Sequence, residues 1–211
     1  MIINDSFPKF DLPIDFIADD SITGDILNYY SNFPCKIKAG VFVLCTEGMV
    51  KATINLLEVV IRKNDFVIVL PNSFIQIHEV SSDTRISFAG FSSDFMLSGN
   101  YVEILLDSMP MILNSPVISL QDDIAGLYRN VYLLLIRAYT LPHSLENKDI
   151  IRSILAIFLQ GTKELYKRYG RKLDEPLRRE QELYRQFIQL LMAHYTSEHE
   201  VAFYAEKCGV T

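Results

Sequence analysis

The chain has 211 residues, 49% of them hydrophobic and 22% charged, with a formal net charge of −6. That hydrophobic share suits a globular core and excludes a disordered chain, and the length has room for one fair-sized domain plus a smaller piece. The acidic balance argues against these residues forming a main nucleic-acid surface, because phosphate binding needs clustered Lys and Arg.

Three cysteines, Cys35, Cys45 and Cys208, are far apart, odd in number and without metal-ligand spacing, so they read as reduced thiols of a cytoplasmic protein. The N-terminus, Met1 to Asp5, has neither a basic start nor a long apolar run, and no signal peptide is expected. The densest apolar stretch, Val131 to Ile136, is far too short to span a membrane, so no membrane partner is expected.

In chain order, residues 1 to 37 are mixed and punctuated by Pro8, Pro13 and Pro34. Asp19-Asp20-Ser21 reads as a turn and Asp25 to Tyr30 as a short strand, in an arm laid over the next region. From Lys38 to Phe95 the pattern is that of strands. Val41 to Cys45 is a buried strand and Glu47-Gly48 a turn. Val50, Ala52 and Ile54 alternate with Lys51, Thr53 and Asn55, the period of a half-exposed strand. Val59 to Ile61 follows, then a tight turn at Arg62 to Asp65 in which Asn64 is the residue suited to positive φ. Phe66 to Leu70 is a wholly apolar strand stopped by Pro71-Asn72, and Phe74 to His78 and Arg85 to Phe91 are further strands. Even spacing without long helices between them predicts an antiparallel sandwich or small barrel.

Residues 96 to 120 read as irregular, with Pro110 and Pro116. Leu120 to Tyr139 reads as a helix whose broad apolar face carries Ile124, Leu127, Tyr128, Val131, Leu134, Leu135 and Ala138. A second helix, Lys148 to Tyr169, turns Ile151, Ile154, Leu155, Phe158, Leu159, Leu165 and Tyr166 inward. Amphipathic faces do not name their partner: the pair could pack on the barrel, on each other or on a second copy. Gly170 ends the helix, and the charged stretch 171–179 with Pro176 reads as a linker.

Glu180 to Tyr195 is again amphipathic, with Leu183, Phe187, Leu190, Leu191 and His194 on one face, followed by the polar link Thr196 to His199. Glu200 to Thr211 then reads as the first half of a helix-turn-helix. Val201, Tyr204 and Ala205 fall at i, i+3 and i+4 on one face; Gly209 can take the left-handed conformation of a turn; Val210 is an apolar plug beneath it; and Thr211 is a natural N-cap for a following helix. The sequence stops inside that turn, so the fragment itself is not expected to bind DNA. The segment from Arg171 onward carries six basic and seven acidic residues, so this stub is not basic either.

Tyr204 to Thr211, with the helix and polar link before it, resembles the start of the DNA-binding domain of AraC-family transcription regulators, whose motif runs Tyr-Ala-Glu-Lys-x-Gly-Val-Thr. The Gly48 turn, the Asn64-Asp65 turn before an apolar strand, the Pro71 stop and Ile86 to Phe95 are similar to the cupin-like barrel of that family, with Asn64 where the family mostly has Gly. The resemblance implies an α+β chain: a cupin-like antiparallel β-barrel with a C-terminal helical pair over residues 1–170, a linker over 171–179, and a truncated helix-turn-helix over 180–211. It also implies a homodimer through the two helices, for which Leu127, Val131 and Leu134 are the expected contacts, DNA as partner of the full-length protein, and room for a small-molecule effector.

No enzyme chemistry emerges. A metal cupin needs two histidines two apart, a carboxylate and a distant histidine, whereas the barrel region has His78 alone, so no metal or other cofactor is expected. His143, His194 and His199 read as structural or solvent-facing, and no phosphate loop or nucleophile elbow appears. Asp122-Asp123 reads as charge at a helix N-terminus. A metal-free barrel lined by Phe42, Leu44, Ile54, Val67 and Val69 would suit a partly apolar ligand, or those side chains simply fill it. A cyclic-nucleotide-receptor-like regulator is the alternative of similar layout, but its Gly-Glu and Arg-Ser-Ala phosphate cassette is absent. A metal-free, small-molecule-binding cupin is the other.

Overall fold

Four residues at positive φ punctuate the chain between residues 47 and 73. Gly48 (φ 77°), Asn55 (φ 54°), Asn64 (φ 68°) and Asn72 (φ 69°) each turn one strand into the next. Glycine and asparagine are the residue types that visit this region at least cost, so each successive hairpin is set locally. The computed structural model describes residues 9–28, 31, 33–97, 108–109, 111–140, 148–169, 179, 183, 186–187, 190–191, 194 and 197–210.

The strands are β1 (Lys9–Phe10), β2 (Phe16–Thr23), β3 (Cys35–Ile37), β4 (Gly40–Glu47), β5 (Met49–Ile54), β6 (Leu57–Arg62), β7 (Asp65–Val69), β8 (Ser73–Val80), β9 (Arg85–Phe91) and β10 (Val117–Ser119). They form two five-stranded sheets, ordered β1-β3-β8-β5-β6 (sheet A) and β10-β7-β4-β9-β2 (sheet B). Every named pair is antiparallel except β1 with β3. The helices are α1 (Gly24–Asn28), α2 (Ser93–Leu97), α3 (Asp122–Thr140), α4 (Lys148–Tyr169) and α5 (Val201–Lys207). This is the expected α+β class: two sheets of mostly antiparallel strands enclose a core and are followed by a helical pair.

Two cores lie on opposite sides of sheet B. The inner core is the space between the sheets, where Val50, Ala52 and Ile54 of β5 meet Cys45, Val67, Val69 and Ile86 of sheet B. The outer core is the other face of sheet B, where Phe42, Leu44, Phe66 and Ile68 pack under Tyr128, Tyr132 and Leu135 of α3 and Leu155 and Phe158 of α4. Strand alternation divides the two. Val41 pairs with Val69 and Val43 with Val67, while Phe42 pairs with Ile68 and Leu44 with Phe66. Phe158 is the hub of the outer core: its ring lies 5.2 Å from Phe42, 5.2 Å from Tyr132, 6.1 Å from Tyr128 and 6.4 Å from Phe66.

The buried Asp65 ties this layer together. Its carboxylate accepts the Arg62 N–H at 2.7 Å, closing the Asn64 turn, and the Ser119 hydroxyl at 2.6 Å, holding β10. Beside it the Asn64 side-chain amide donates to Asp122 at 2.5 Å, and the Leu120 N–H donates to the Asn64 carbonyl at 3.0 Å. One turn therefore fixes where α3 begins.

Four expectations are corrected. Phe42 and Leu44 face the helices rather than the barrel interior; β4 and β7 are covered on both faces, so a continuous apolar run carries no sign of which side is which. Asp19-Asp20-Ser21 is no chain reversal but lies within β2, at a register shift between Asp19 and Ile22 against β9. There the Asp19 carboxylate accepts the Ser21 N–H at 2.6 Å and its hydroxyl at 2.5 Å, the local bonding of a turn placed inside a bulged strand. Residues 24–28 are helical rather than a strand, and the Gly24 N–H that opens the helix donates to the Thr84 carbonyl at 3.0 Å; Tyr29 and Tyr30 lie outside the described residues. The stretch read as irregular contains β10, whose Ile118 pairs with Phe66 at the edge of sheet B, and helical residues 111–114. Of the expected linker 171–179, residues 171–178 lie outside the described residues and Arg179 is helical.

Candidate sensing and interface sites

The inner core is filled by its own side chains, with Ile37, Val50, Ile54, Val67 and Val69 all buried there. Cys45 sits in the same core. Desolvation, and then the nearby Asp65 carboxylate, push its thiol up to about 11, and its S–H donates to the Glu47 carbonyl at 3.2 Å. His78 lies on the exposed face of sheet A, its Nε2 2.7 Å from the Thr53 hydroxyl. Among the described residues no three of His, Cys, Asp and Glu come together as metal ligands, and no helix is long and apolar enough to cross a membrane.

Helix α3 divides its apolar residues between two faces. Tyr128, Tyr132, Leu135 and Ala138 are buried, and Val131 is half-buried against the outer core. Leu127 and Leu134 are 57% and 48% exposed, seven residues apart. On α4, Ile150 and Ile157 are likewise exposed and seven residues apart. Both helices thus carry a heptad-spaced apolar stripe on the side away from sheet B. Of the three residues expected at a dimer contact, Leu127 and Leu134 lie on this outer stripe and Val131 lies between it and the core.

Tyr128 and Tyr132, four residues apart on α3, bury hydroxyls that have no hydrogen-bond partner among the described residues. Burial raises both well above the usual tyrosine range, and for Tyr132 the neighbouring Tyr128 adds to it. The Tyr128 hydroxyl approaches Gly161 of α4 so closely that a Cβ built there would lie 2.4 Å from it, so α4 needs glycine at this crossing. Tyr166 is different: its hydroxyl donates to the Ser115 carbonyl at 2.5 Å, which fastens the end of α4 to the strand leading into β10.

Tyr132 also forms part of a surface cleft of about 300 Å³ at the end of sheet B, with Ser87, Thr46 and Glu47 from the strands, Asp20 from β2, Lys63 from the β6–β7 turn and Arg129 from α3. Nothing in the sequence marks this group, because its members come from five separate elements and become neighbours only when α3 lies across the sheet.

At the C-terminus, Glu200 is extended (φ −85°, ψ 126°) and α5 starts at Val201. Tyr204 is buried, T-shaped on Phe187 at 5.9 Å, and its hydroxyl donates to the Glu198 carbonyl at 2.8 Å. Phe203, not anticipated, packs on His194 at 5.3 Å, and the Gln186 side chain donates to the Lys207 carbonyl at 3.0 Å. Gly209 (φ 67°) closes the helix in a Schellman arrangement: its N–H donates to Glu206 at 3.0 Å and the Val210 N–H reaches back to Ala205 at 2.9 Å. Ala205 is half-buried; Val210, expected as an apolar plug beneath the turn, is 40% exposed instead; Thr211 lies outside the described residues. Val201 is corrected: it is 79% exposed, not on the packing face with Tyr204. Side chains tilt toward a helix N-terminus, and this first-turn residue overhangs only the polar link 197–200.

No family model matches the chain, and no curated protein matches it. Among solved structures it is similar to the AraC-like transcriptional activator CuxR, at 10% identity and a TM-score of 0.46, over 83% of this chain and 58% of that one. It is also similar to ToxT from Vibrio cholerae, at 12% identity and a TM-score of 0.40, over 94% of this chain and 72% of that one. The EutQ protein of Clostridium difficile overlaps 37% of this chain and 69% of its own, at 13% identity and a TM-score of 0.27. The chain therefore spans 58% of the length of CuxR.

Proposed function

We propose that this chain is the sensing and dimerisation part of an AraC-family transcription regulator, acting in the cytoplasm, with DNA as the partner of the whole protein. The observation that supports it most is the C-terminal turn. A short helix anchored by Tyr204 on Phe187 ends in a glycine at φ 67°, and backward hydrogen bonds from the Gly209 and Val210 N–H groups satisfy the last carbonyls. That is the geometry a helix-turn-helix uses to send a second helix across the first. It stands where the sequence carries the Tyr204-to-Thr211 motif, behind a barrel and a helical pair.

In this reading the outer stripes of α3 and α4 meet those of a second copy, with Leu127, Leu134 and the adjoining Val131 at the contact. Two barrels joined in this way would hold two DNA-binding units at a fixed separation, as a two-fold pair of half-sites requires. An effector would act by favouring one presentation of those units over another. The acidic chain leaves phosphate contacts to the DNA-binding helices rather than to the barrel. No reaction is assigned to it.

The test is chromatin immunoprecipitation of the protein, tagged at its N-terminus and expressed from its own gene. Recovery of discrete promoter-proximal peaks carrying a shared two-part sequence is expected; coverage no different from untagged cells would overturn the reading.

A further inference from the structure

The helix-facing side of sheet B changes character along its strands. β9 presents Phe91, Ala89 and Ser87 in turn, and beside it β4 presents Phe42, Leu44 and Thr46. Its apolar members lie under α3 and α4, and the polar ends open into the cleft of about 300 Å³. Two buried hydroxyl-bearing residues, Ser87 and Tyr132, line this cleft. Tyr132 is 0% exposed and its Oη has no partner among the described residues. A buried hydroxyl left unsatisfied costs stability unless something in the cleft completes its hydrogen bond.

The exposed lining is charged in both signs. Glu47 is neutralised by Arg85 at 3.3 Å. Asp20, Lys63 and Arg129 make no ion pair among the described residues, so one free carboxylate and two free cations converge on the same space. A dianion would be attracted by the cations but repelled by Asp20 and Glu47. A simple cation would meet the reverse. A ligand carrying both signs satisfies the set.

The geometry points to this cleft as a binding site for a free α-amino acid. Lys63 and the Arg129 guanidinium hold the carboxylate, the guanidinium by its paired N–H donors. The Tyr132 hydroxyl donates to the same carboxylate, and Asp20 takes the ammonium. A cleft of about 300 Å³ has room for a molecule of amino-acid size. The inference goes beyond the regulatory reading and does not depend on it, because its test reads binding alone.

The experiment is calorimetric titration of the whole chain with each of the common L-amino acids. For any that binds, the deaminated acid and the decarboxylated amine are titrated beside it. At least one amino acid is expected to bind, and both of its one-charge analogues about 10-fold or more weaker, the equivalent of losing about 1.4 kcal/mol. Arg129→Ala should weaken binding by about 10-fold or more. Tyr132→Phe keeps the ring in the outer core, so it folds, and should weaken binding about 5-fold or more. Absence of binding by every amino acid would overturn the proposal. So would binding that the acid or amine reproduces in full, or binding that neither substitution changes.

Discussion

Sheets A and B have five strands each and share the inner core, yet they meet the rest of the molecule differently. The outer face of sheet A is exposed and carries Lys51, Glu58, His78 and Glu79, with Phe74 lying under the Lys36 ammonium at 5.7 Å. The outer face of sheet B is roofed by α3 and α4, and β7 is buried at every residue. The same kind of side chain is therefore worth very different amounts on the two sheets, and a helix layer laid on one of them creates both a second core and, at its rim, the cleft.

The largest effect expected from this difference is at Phe158. Phe158→Ala removes the ring that joins both helices to Phe42 and Phe66 and should cost about 3–5 kcal/mol in denaturant unfolding. Phe74→Ala, on the exposed face of sheet A, should cost less than about 1 kcal/mol. Equal costs would mean that the helix layer is not packed on sheet B. Asp65→Ala should come next, at about 1–3 kcal/mol, because it leaves the Arg62 N–H and the Ser119 hydroxyl without their acceptor.

Alkali should act on the covered side. Burial holds the Cys45 thiol at about 11 against its ordinary 9.0, and holds Tyr128, Tyr132 and Tyr166 above their ordinary 10.0. The unfolded chain releases these protons first. Stability should be intact below pH 9 and should fall as pH rises past the ordinary values, by about 1.4 kcal/mol per pH unit for each group that ionises only when unfolded. Tyr132→Phe should lessen that slope in unfolding curves taken at successive pH values, and an unchanged slope would place the Tyr132 hydroxyl in water. Smallest of all is the Lys51–Glu79 pair on the exposed face of sheet A. A double-mutant cycle should give less than about 1 kcal/mol of coupling, vanishing at high salt.

The same difference decided what could be read in the sequence. The β5 alternation of Val50, Ala52 and Ile54 with polar residues is legible because one face of sheet A is wet. β4 and β7 are legible as strands, but their two faces are not, so Phe42 and Leu44 cannot be told from Val67 and Val69. Turns carry their own chemistry, and Asn64 and Gly209 could be assigned from residue type alone. β10 and the bulge at Asp19 depend on partners far along the chain, which no local pattern reveals. Val201 fits the helical period but lies in the first turn, where there is little to pack against. The cleft is wholly a product of the tertiary fold.

We propose that the helix layer has two working faces, one on sheet B and one on a second copy of the chain. Light scattering of the protein over a range of concentrations tests it most directly. A mass of twice the chain is expected, falling to that of one chain when Leu127 and Leu134 are both changed to Glu. A single-chain mass at every concentration would contradict the account, as would a dimer that the double substitution leaves intact.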